Sequence, residues 1–350
     1  MASDNLVTIM ITSPLEPEHA EQIANAHPAH TELIYRPDLL PPARYVADHD
    51  GDSKWTRTPK GEAEWTALLS RAEVLWDFAK DDGHPLERSP GLKWVQTTSA
   101  GVGQAVRRLG VQPGELIITT ASGVHAQPLA EFVFAALLYH VKQYSHLQAE
   151  QRTHRWARFC TGELSGQTMA IIGPGRIGRE VARLAKAFNM RVIAMGRTNT
   201  SKRAIELGVN AIFPRQQLHD MLGLADCVVL CAPHTPETED MIGRAELRAM
   251  KPGVVLVNIA RGAMVDEPEM IRALEDGHIG FAALDVFREE PLPSGSPLWD
   301  LPNVLISPHS ASTAWSENGK LTERFIENLA HYLAGDLDAM QPQLDVARLY

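Results

Sequence analysis

The sequence has little cysteine, no block of Lys and Arg, and no apolar run long enough to cross a bilayer. Three cysteines in 350 residues (Cys160, Cys227 and Cys231) do not make a disulfide framework. Cys227 and Cys231 lie in ADCVVLCAP, which reads as a buried strand whose thiols act as small hydrophobes. The 14 histidines form no H-E-x-x-H and no Cys/His cluster with zinc spacing, so no metal is expected. A net charge of −10 without a basic block argues against nucleic acid as a partner. The longest apolar stretch, Leu129 to Val141, is interrupted by Glu131; at about 13 residues it falls short of the about 20 that a membrane helix needs. The start, MASDNLVTIM, lacks the basic segment and apolar core of a signal peptide. These absences predict a cytoplasmic protein with neither membrane nor nucleic-acid partners.

What is there is alternation. With 44% hydrophobic residues the chain can bury two ordinary cores. LVTIMI, TELIY, AEVLWDF and LKWVQTT read as strands of a first α/β domain, and EPEHAEQIANA as a helix between them. Residues 38–60, with several prolines and little periodicity, read as an exposed excursion. Residues 127–151 (QPLAEFVFAALLYHVKQYSHLQAEQ) read as one long helix, apolar on more than one face, at a domain junction or a subunit interface. Strands then recur near 168–173, 191–195, 227–231, 254–259, 280–285 and 304–307, the rhythm of a doubly wound parallel sheet. ENGKLTERFIENLAHYLAGDL closes the chain as an amphipathic helix ending near Gly335, and no appended regulatory domain is expected after it.

Residues 173–178 are GPGRIG, between the strand MAII and the helix RIGREVARLAKAF. In that context the glycines have separate tasks. Gly173 permits a tight turn, Gly175 lets backbone approach a pyrophosphate, and Gly178 lets helix and sheet pack closely. The helix N-terminus adds unpaired N–H groups and a favourable dipole end. About 20 residues later, a carboxylate usually grips the ribose 2′-OH. Here the positions read Gly196, Arg197 and Thr198, followed by Lys202 and Arg203. A missing carboxylate with a guanidinium and a hydroxyl suits a 2′-phosphate, which predicts NADP(H) over NAD(H), with NAD(H) as the alternative.

Three further stretches set polar residues after apolar strands: VVLVNIARGAMVDE, GFAALDVFREEPLP and NVLISPHSAS. Ligands of open α/β sheets bind at those carboxyl ends. Arg261, Asp285, Glu290 and His309 are therefore expected to converge near the nicotinamide. Arg261 has a planar fork for the carboxylate and carbonyl of a 2-oxo acid. His309 is the natural proton donor to the carbonyl oxygen, and Glu290 would orient its ring and favour the imidazolium.

These motifs, with LSGQTMAIIGPGRIGREVA and CAPHTPET, make the chain resemble the D-isomer-specific 2-hydroxyacid dehydrogenases. The resemblance is strongest over 164–312 and covers most of the chain. It implies two Rossmann-like doubly wound domains, with the NAD(P)-binding domain (125–309) inserted into a discontinuous substrate domain (1–124 and 310–350). It implies an active site in the cleft and a homodimer packed through the nucleotide domain. By motif, Arg261 resembles the substrate-binding arginine, Glu290 the partner of the histidine, and His309 the general acid/base. Asp285 resembles the aspartate at the nicotinamide carboxamide. Arg176 and Ile177 match the backbone donors to the pyrophosphate. Ala232 and Thr238, with Ile259, Ala260, His309 and Ala311, fall where the family lines its cofactor. TTSAGVGQ resembles the loop whose N–H groups bind the substrate carboxylate, at Ala100 and Gly101, although Gly103 replaces an aspartate that family members often carry there.

The function implied is NADPH-dependent, reversible reduction of 2-oxo acids to D-2-hydroxy acids. The turn at Gly196, Arg197 and Thr198 resembles the NADP-preferring glyoxylate/hydroxypyruvate reductase branch. Trp76, Phe78 and Trp315, read as pocket walls, would instead suit bulkier acids; read as core residues, they would line nothing. The alternative function is a non-catalytic dinucleotide sensor that binds proteins on the same fold.

Overall fold

The computed structural model describes residues 6–80, 83–196 and 200–348. Along the chain run β1 (Val7–Ile11), α1 (Pro17–Ala26), β2 (Thr31–Ile34), α2 (Pro59–Leu69), β3 (Val74–Trp76), α3 (Pro85–Arg88), β4 (Trp94–Gln96), α4 (Gly103–Arg108) and β5 (Ile117–Thr119). Next come α5 (Ala126–Val141), α6 (Tyr144–Arg152), β6 (Thr168–Ile172), α7 (Arg176–Ala187), β7 (Arg191–Met195), α8 (Ser201–Leu207), β8 (Ala211–Phe213), α9 (Leu218–Leu224) and β9 (Cys227–Leu230). The chain closes with α10 (Arg244–Ala249), β10 (Val254–Asn258), α11 (Glu267–Glu275), β11 (Ile279–Leu284), β12 (Val304–Ile306) and α12 (Glu317–Ala334). The fold is α/β, with two parallel sheets, as the sequence leads one to expect.

The chain divides into two compact units. One joins the N-terminal segment through His125 to the segment from Thr313 onward; the other is Ala126–Ser312. Ser310 and Ala311 donate backbone N–H bonds to Asp285 Oδ1, both at 2.9 Å, which keeps the His309 turn and the residues after it in the second unit.

The first unit has a parallel sheet in the order β2-β1-β3-β4-β5. Its core is aromatic: Trp94 stacks on Phe325 of α12 at 4.9 Å, and Trp76 meets Phe325 at 5.6 Å. The second unit orders its strands β12-β11-β10-β9-β6-β7-β8. The strand order reverses between β6 and β9, so the carboxyl ends of these two strands flank a topological switch point. β6, β9 and β10 are buried along their whole length, as strands covered by helices on both faces must be.

Several local expectations need correction. The segment 127–151 is two helices, α5 and α6. Gln143 takes a left-handed conformation (φ 53°) and its N–H turns back to His140 O at 3.0 Å, ending α5. No Gly or Pro announces that break. The excursion at 38–60 is partly buried. Leu39 and Leu40 enter the core, and the carboxylate of buried Asp48 accepts bonds from Arg44 and from the N–H groups of Asp50 and Gly51. Cys231 lies one residue past β9, half-buried, its thiol 3.3 Å from Gly173 O. Burial pushes its pKa up to about 12, which makes the thiol inert at neutral pH. β5 and β8, of three residues each, are too short for periodicity to mark.

Candidate active site

The glycine turn sits at the switch point of the second unit. Gly173 follows β6 with φ 91°, and a Cβ there would lie 2.5 Å from the backbone of Ala232, just past β9. A Cβ on Gly178 would lie 2.8 Å from Gly173 O. Gly175 differs, because a Cβ there meets nothing within 4 Å. Two glycines therefore close the protein on itself, and the middle one leaves open space beside the N-terminus of α7, where Arg176 and Ile177 begin the helix. The first turn of a helix has N–H groups that the helix itself does not bond. An open backbone face next to such donors fits a dinucleotide pyrophosphate.

Past β9, the loop bearing Ala232 and Thr238 folds on itself. Thr238 Oγ1 accepts from Thr235 N–H at 2.8 Å and donates to Pro233 O at 2.8 Å. Gly196 follows β7, and a Cβ there would lie 3.2 Å from Pro174. Arg197 and Thr198, the pair read as the 2′-phosphate site, lie outside the described residues.

The polar cluster is built beyond β10, β11 and β12, which neighbour one another in the sheet. Asn258, the last residue of β10, is buried. Its Oδ1 accepts from Ala260 N–H at 3.0 Å and its Nδ2 donates to Arg261 O at 3.1 Å. That side chain folds the Ile259–Arg261 turn. Arg261 Nη1 donates to Ala260 O at 2.6 Å. Burial lowers the guanidinium pKa, against the attraction of Glu290 and Asp285. At this distance from neutrality it stays charged.

Asp285 follows β11 and is almost fully buried. Its Oδ1 accepts from Ser307 Oγ at 2.6 Å and from Ser310 and Ala311 N–H, while its backbone O accepts from His309 N–H at 2.9 Å. These bonds wrap the turn that holds His309 at φ 54°, a left-handed conformation that histidine tolerates better than most residues. Glu290 Oε1 accepts from Phe287 N–H at 2.9 Å, and its Oε2 lies 2.7 Å from His309 Nδ1. The hydrogen bond to Glu290 raises the His309 pKa, with burial opposing it and the carboxylate charge assisting. Burial draws the Glu290 carboxyl upward, but the bonds from His309 and Phe287 outweigh it and leave the pKa below its ordinary value.

The structure thus brings Arg261, Asp285, Glu290 and His309 together in one unit. Ala100, Gly101 and Trp76 belong to the other unit. Trp76 is buried there against Phe325, as a core side chain, and Trp315 is 91% exposed. Sequence reasoning missed Asn258 and Ser307, which shape the two turns. A polar residue closing an apolar strand (VVLVN, VLIS) was the signal available.

A Rossmann-type sheet with an open glycine at its switch point, and a carboxylate-paired imidazole near a half-buried guanidinium, defines an NAD(P)-binding dehydrogenase. Residues 134–311 match the family described as D-isomer specific 2-hydroxyacid dehydrogenase, NAD binding domain. A glyoxylate reductase of Aeropyrum pernix is 35% identical over 289 residues, 77% of this chain and 84% of that one. A D-3-phosphoglycerate dehydrogenase of Mycobacterium tuberculosis is 34% identical over 297 residues, 84% of this chain but 53% of that longer relative. The crystal structure of a D-isomer specific 2-hydroxyacid dehydrogenase from Xanthobacter autotrophicus Py2, in complex with NADPH and MES, matches with a TM-score of 0.77 at 26% identity, covering 99% of this chain and 100% of that one. The chain belongs to the D-isomer specific 2-hydroxyacid dehydrogenase family.

Proposed function

We propose that the protein reduces small 2-oxo acids to D-2-hydroxy acids, with NADPH as its preferred cofactor. The observation that carries this reading is the 2.7 Å contact between His309 Nδ1 and Glu290. An Nδ1–H bonded to a carboxylate leaves Nε2 as the nitrogen that presents or accepts a proton. The reduced nicotinamide, when bound, supplies hydride to the carbonyl carbon. Arg261 receives the substrate carboxylate and carbonyl through its fork. His309 Nε2 gives the carbonyl oxygen its proton, and its raised pKa keeps that proton available near neutral pH. Glu290 offsets the imidazolium charge. The N–H groups at Ala100 and Gly101 are assigned to the substrate carboxylate.

Relatives named glyoxylate reductase support a small substrate. The burial of Trp76 in the core of the first unit supports a pocket without this aromatic wall. Glyoxylate and hydroxypyruvate are therefore the proposed substrates. Arg197 and Thr198 are assigned to the 2′-phosphate, and a relative crystallised with NADPH supports this choice. The half-buried Phe132, Leu138 and Tyr139 of α5 suit a homodimer contact. A cytoplasmic enzyme working on a small molecule, without membrane or nucleic acid, completes the reading.

The test is a set of initial rates with NADPH and NADH side by side, across glyoxylate, hydroxypyruvate, pyruvate and bulkier 2-oxo acids. NADPH is expected to give the higher kcat/KM, and Arg197→Ala to lose that advantage. An NADH preference would remove the role of Arg197. No turnover with any acid would favour the dinucleotide sensor.

A further inference from the structure

Arg288 lies two residues before Glu290 and has no part in the roles assigned above. It is partly exposed, and its guanidinium is tied to two loops besides its own. Nη2 donates to the Asp240 carboxylate and lies 3.4 Å from Val265 O. The Arg288 backbone N–H donates to Glu267 Oε2 at 3.3 Å. Asp240 belongs to the loop after β9 that carries Ala232 and Thr238. That loop is itself stitched to the loop after β10: Asp240 N–H donates to Ala263 O at 2.9 Å, Ile242 N–H to Met264 O at 3.0 Å, and Asp266 N–H to Ile242 O at 3.0 Å. On the other side, a Cβ on Gly262 would lie 1.9 Å from the carbonyl carbon of Phe287. The Arg261 turn and the Phe287–Arg288 peptide are therefore in direct backbone contact, with no room between them.

We propose that Arg288 is a positioning residue, clasping the Glu290 turn to the Asp240 loop so that Glu290 stays in register with His309. Three loops from three adjacent strands meet at this one side chain, and the contact at Gly262 leaves them no slack on the far side. An ion pair this exposed adds little to stability. Its consequence falls on the orientation of the turn, where a displacement of about 1 Å can cost on the order of a hundredfold in rate. The inference rests on the proposed roles of Glu290 and His309.

The experiment follows the His309 imidazole by NMR titration, assigned with His309→Asn, in the full chain. It compares wild type with Arg288→Ala, Asp240→Asn, the double variant and Arg288→Lys. In parallel, kcat and KM for glyoxylate and the Kd for NADPH are measured. Either single variant is expected to lower the His309 titration toward that of an ordinary histidine and to reduce kcat about tenfold. NADPH affinity should change less than kcat. The double variant should be no worse than either single one, because both break the same clasp. Arg288→Lys, which keeps a cation on Asp240, should recover most of the titration shift. A His309 titration unchanged in Arg288→Ala, or losses that add in the double variant, would overturn the proposal. If the wild type turned over no 2-oxo acid while Arg288→Ala still lowered the His309 titration, the clasp would stand and the assigned reaction would fall.

Discussion

His309 Nδ1 lies 2.7 Å from Glu290 Oε2, while Glu290 Oε1 is pinned by Phe287 N–H at 2.9 Å. Both carboxylate oxygens are thus committed, one to the histidine and one to the backbone that carries it. The histidine is held just as firmly at its backbone, by Asp285. Its ring therefore has one orientation, with Nε2 as the free nitrogen.

That geometry predicts what His309→Asn does. An asparagine can fill part of the space but cannot deliver a proton near neutral pH. We expect kcat for 2-oxo acid reduction to fall by about 10² to 10⁴. The Kd for NADPH, measured by fluorescence titration, should stay close to wild type. Equal losses in both would mean that His309 holds the cofactor rather than the proton.

Gly175 and Gly178 should fail in different ways. A methyl on Gly178 would lie 2.8 Å from Gly173 O, so Gly178→Ala is expected to cost about 1–3 kcal/mol of stability by overpacking. A methyl on Gly175 meets no protein atom within 4 Å. Gly175→Ala should leave the urea midpoint nearly unchanged and weaken NADPH binding about tenfold or more, a loss of roughly 1.4 kcal/mol. Wild-type affinity in Gly175→Ala would place the pyrophosphate elsewhere.

Glu317, in the first unit, makes an acid-sensitive contribution to stability. His49 Nε2 and His125 Nε2 lie 3.2 and 3.0 Å from its Oε1. Burial opposes ionisation, but the two imidazole bonds outweigh it and hold the carboxyl at about 2, against 4.5 ordinarily. A depressed carboxyl stabilises the fold above its unfolded-state value and loses that contribution as pH falls through its folded value. The advantage of wild type over Glu317→Gln should be about 2–3 kcal/mol at neutral pH and should shrink between about pH 4.5 and 2. Urea unfolding of both proteins across that range checks it. A pH-independent difference would show that the ionised carboxylate is not the source.

The two-unit plan was legible because parallel strands read as apolar runs, and the candidate residues Arg261, Asp285 and His309 each sit within three residues of the end of one. Arg261, Asp285, Glu290 and His309 are brought together by the adjacency of β10, β11 and β12, which the doubly wound pattern already implies. What stayed hidden depends on tertiary context. Gln143 breaks the 127–151 helix with no turn residue to announce it. Asp48 makes a proline-rich stretch partly internal through bonds to its own loop. Trp76 reads equally well as core or pocket wall, and the Phe325 ring it packs against comes from α12, far along the chain, so no local pattern could announce that contact. Asn258 and Ser307 lie inside the stretches VVLVNIARGAMVDE and NVLISPHSAS, but their hydrogen bonds to neighbouring turns show only in the folded chain.

The most direct test of the account is the pH dependence of kcat/KM for glyoxylate reduction by NADPH, in wild type and Glu290→Gln. In reduction the imidazolium is the active form, so the rate should hold at low pH and fall as pH rises through the raised His309 pKa. Glu290→Gln removes the charge and the main bond that raise it. The falling limb should then move to lower pH, with a smaller kcat at neutrality. A limb that stays in place in Glu290→Gln would contradict the account, because the proton would then come from a group other than His309.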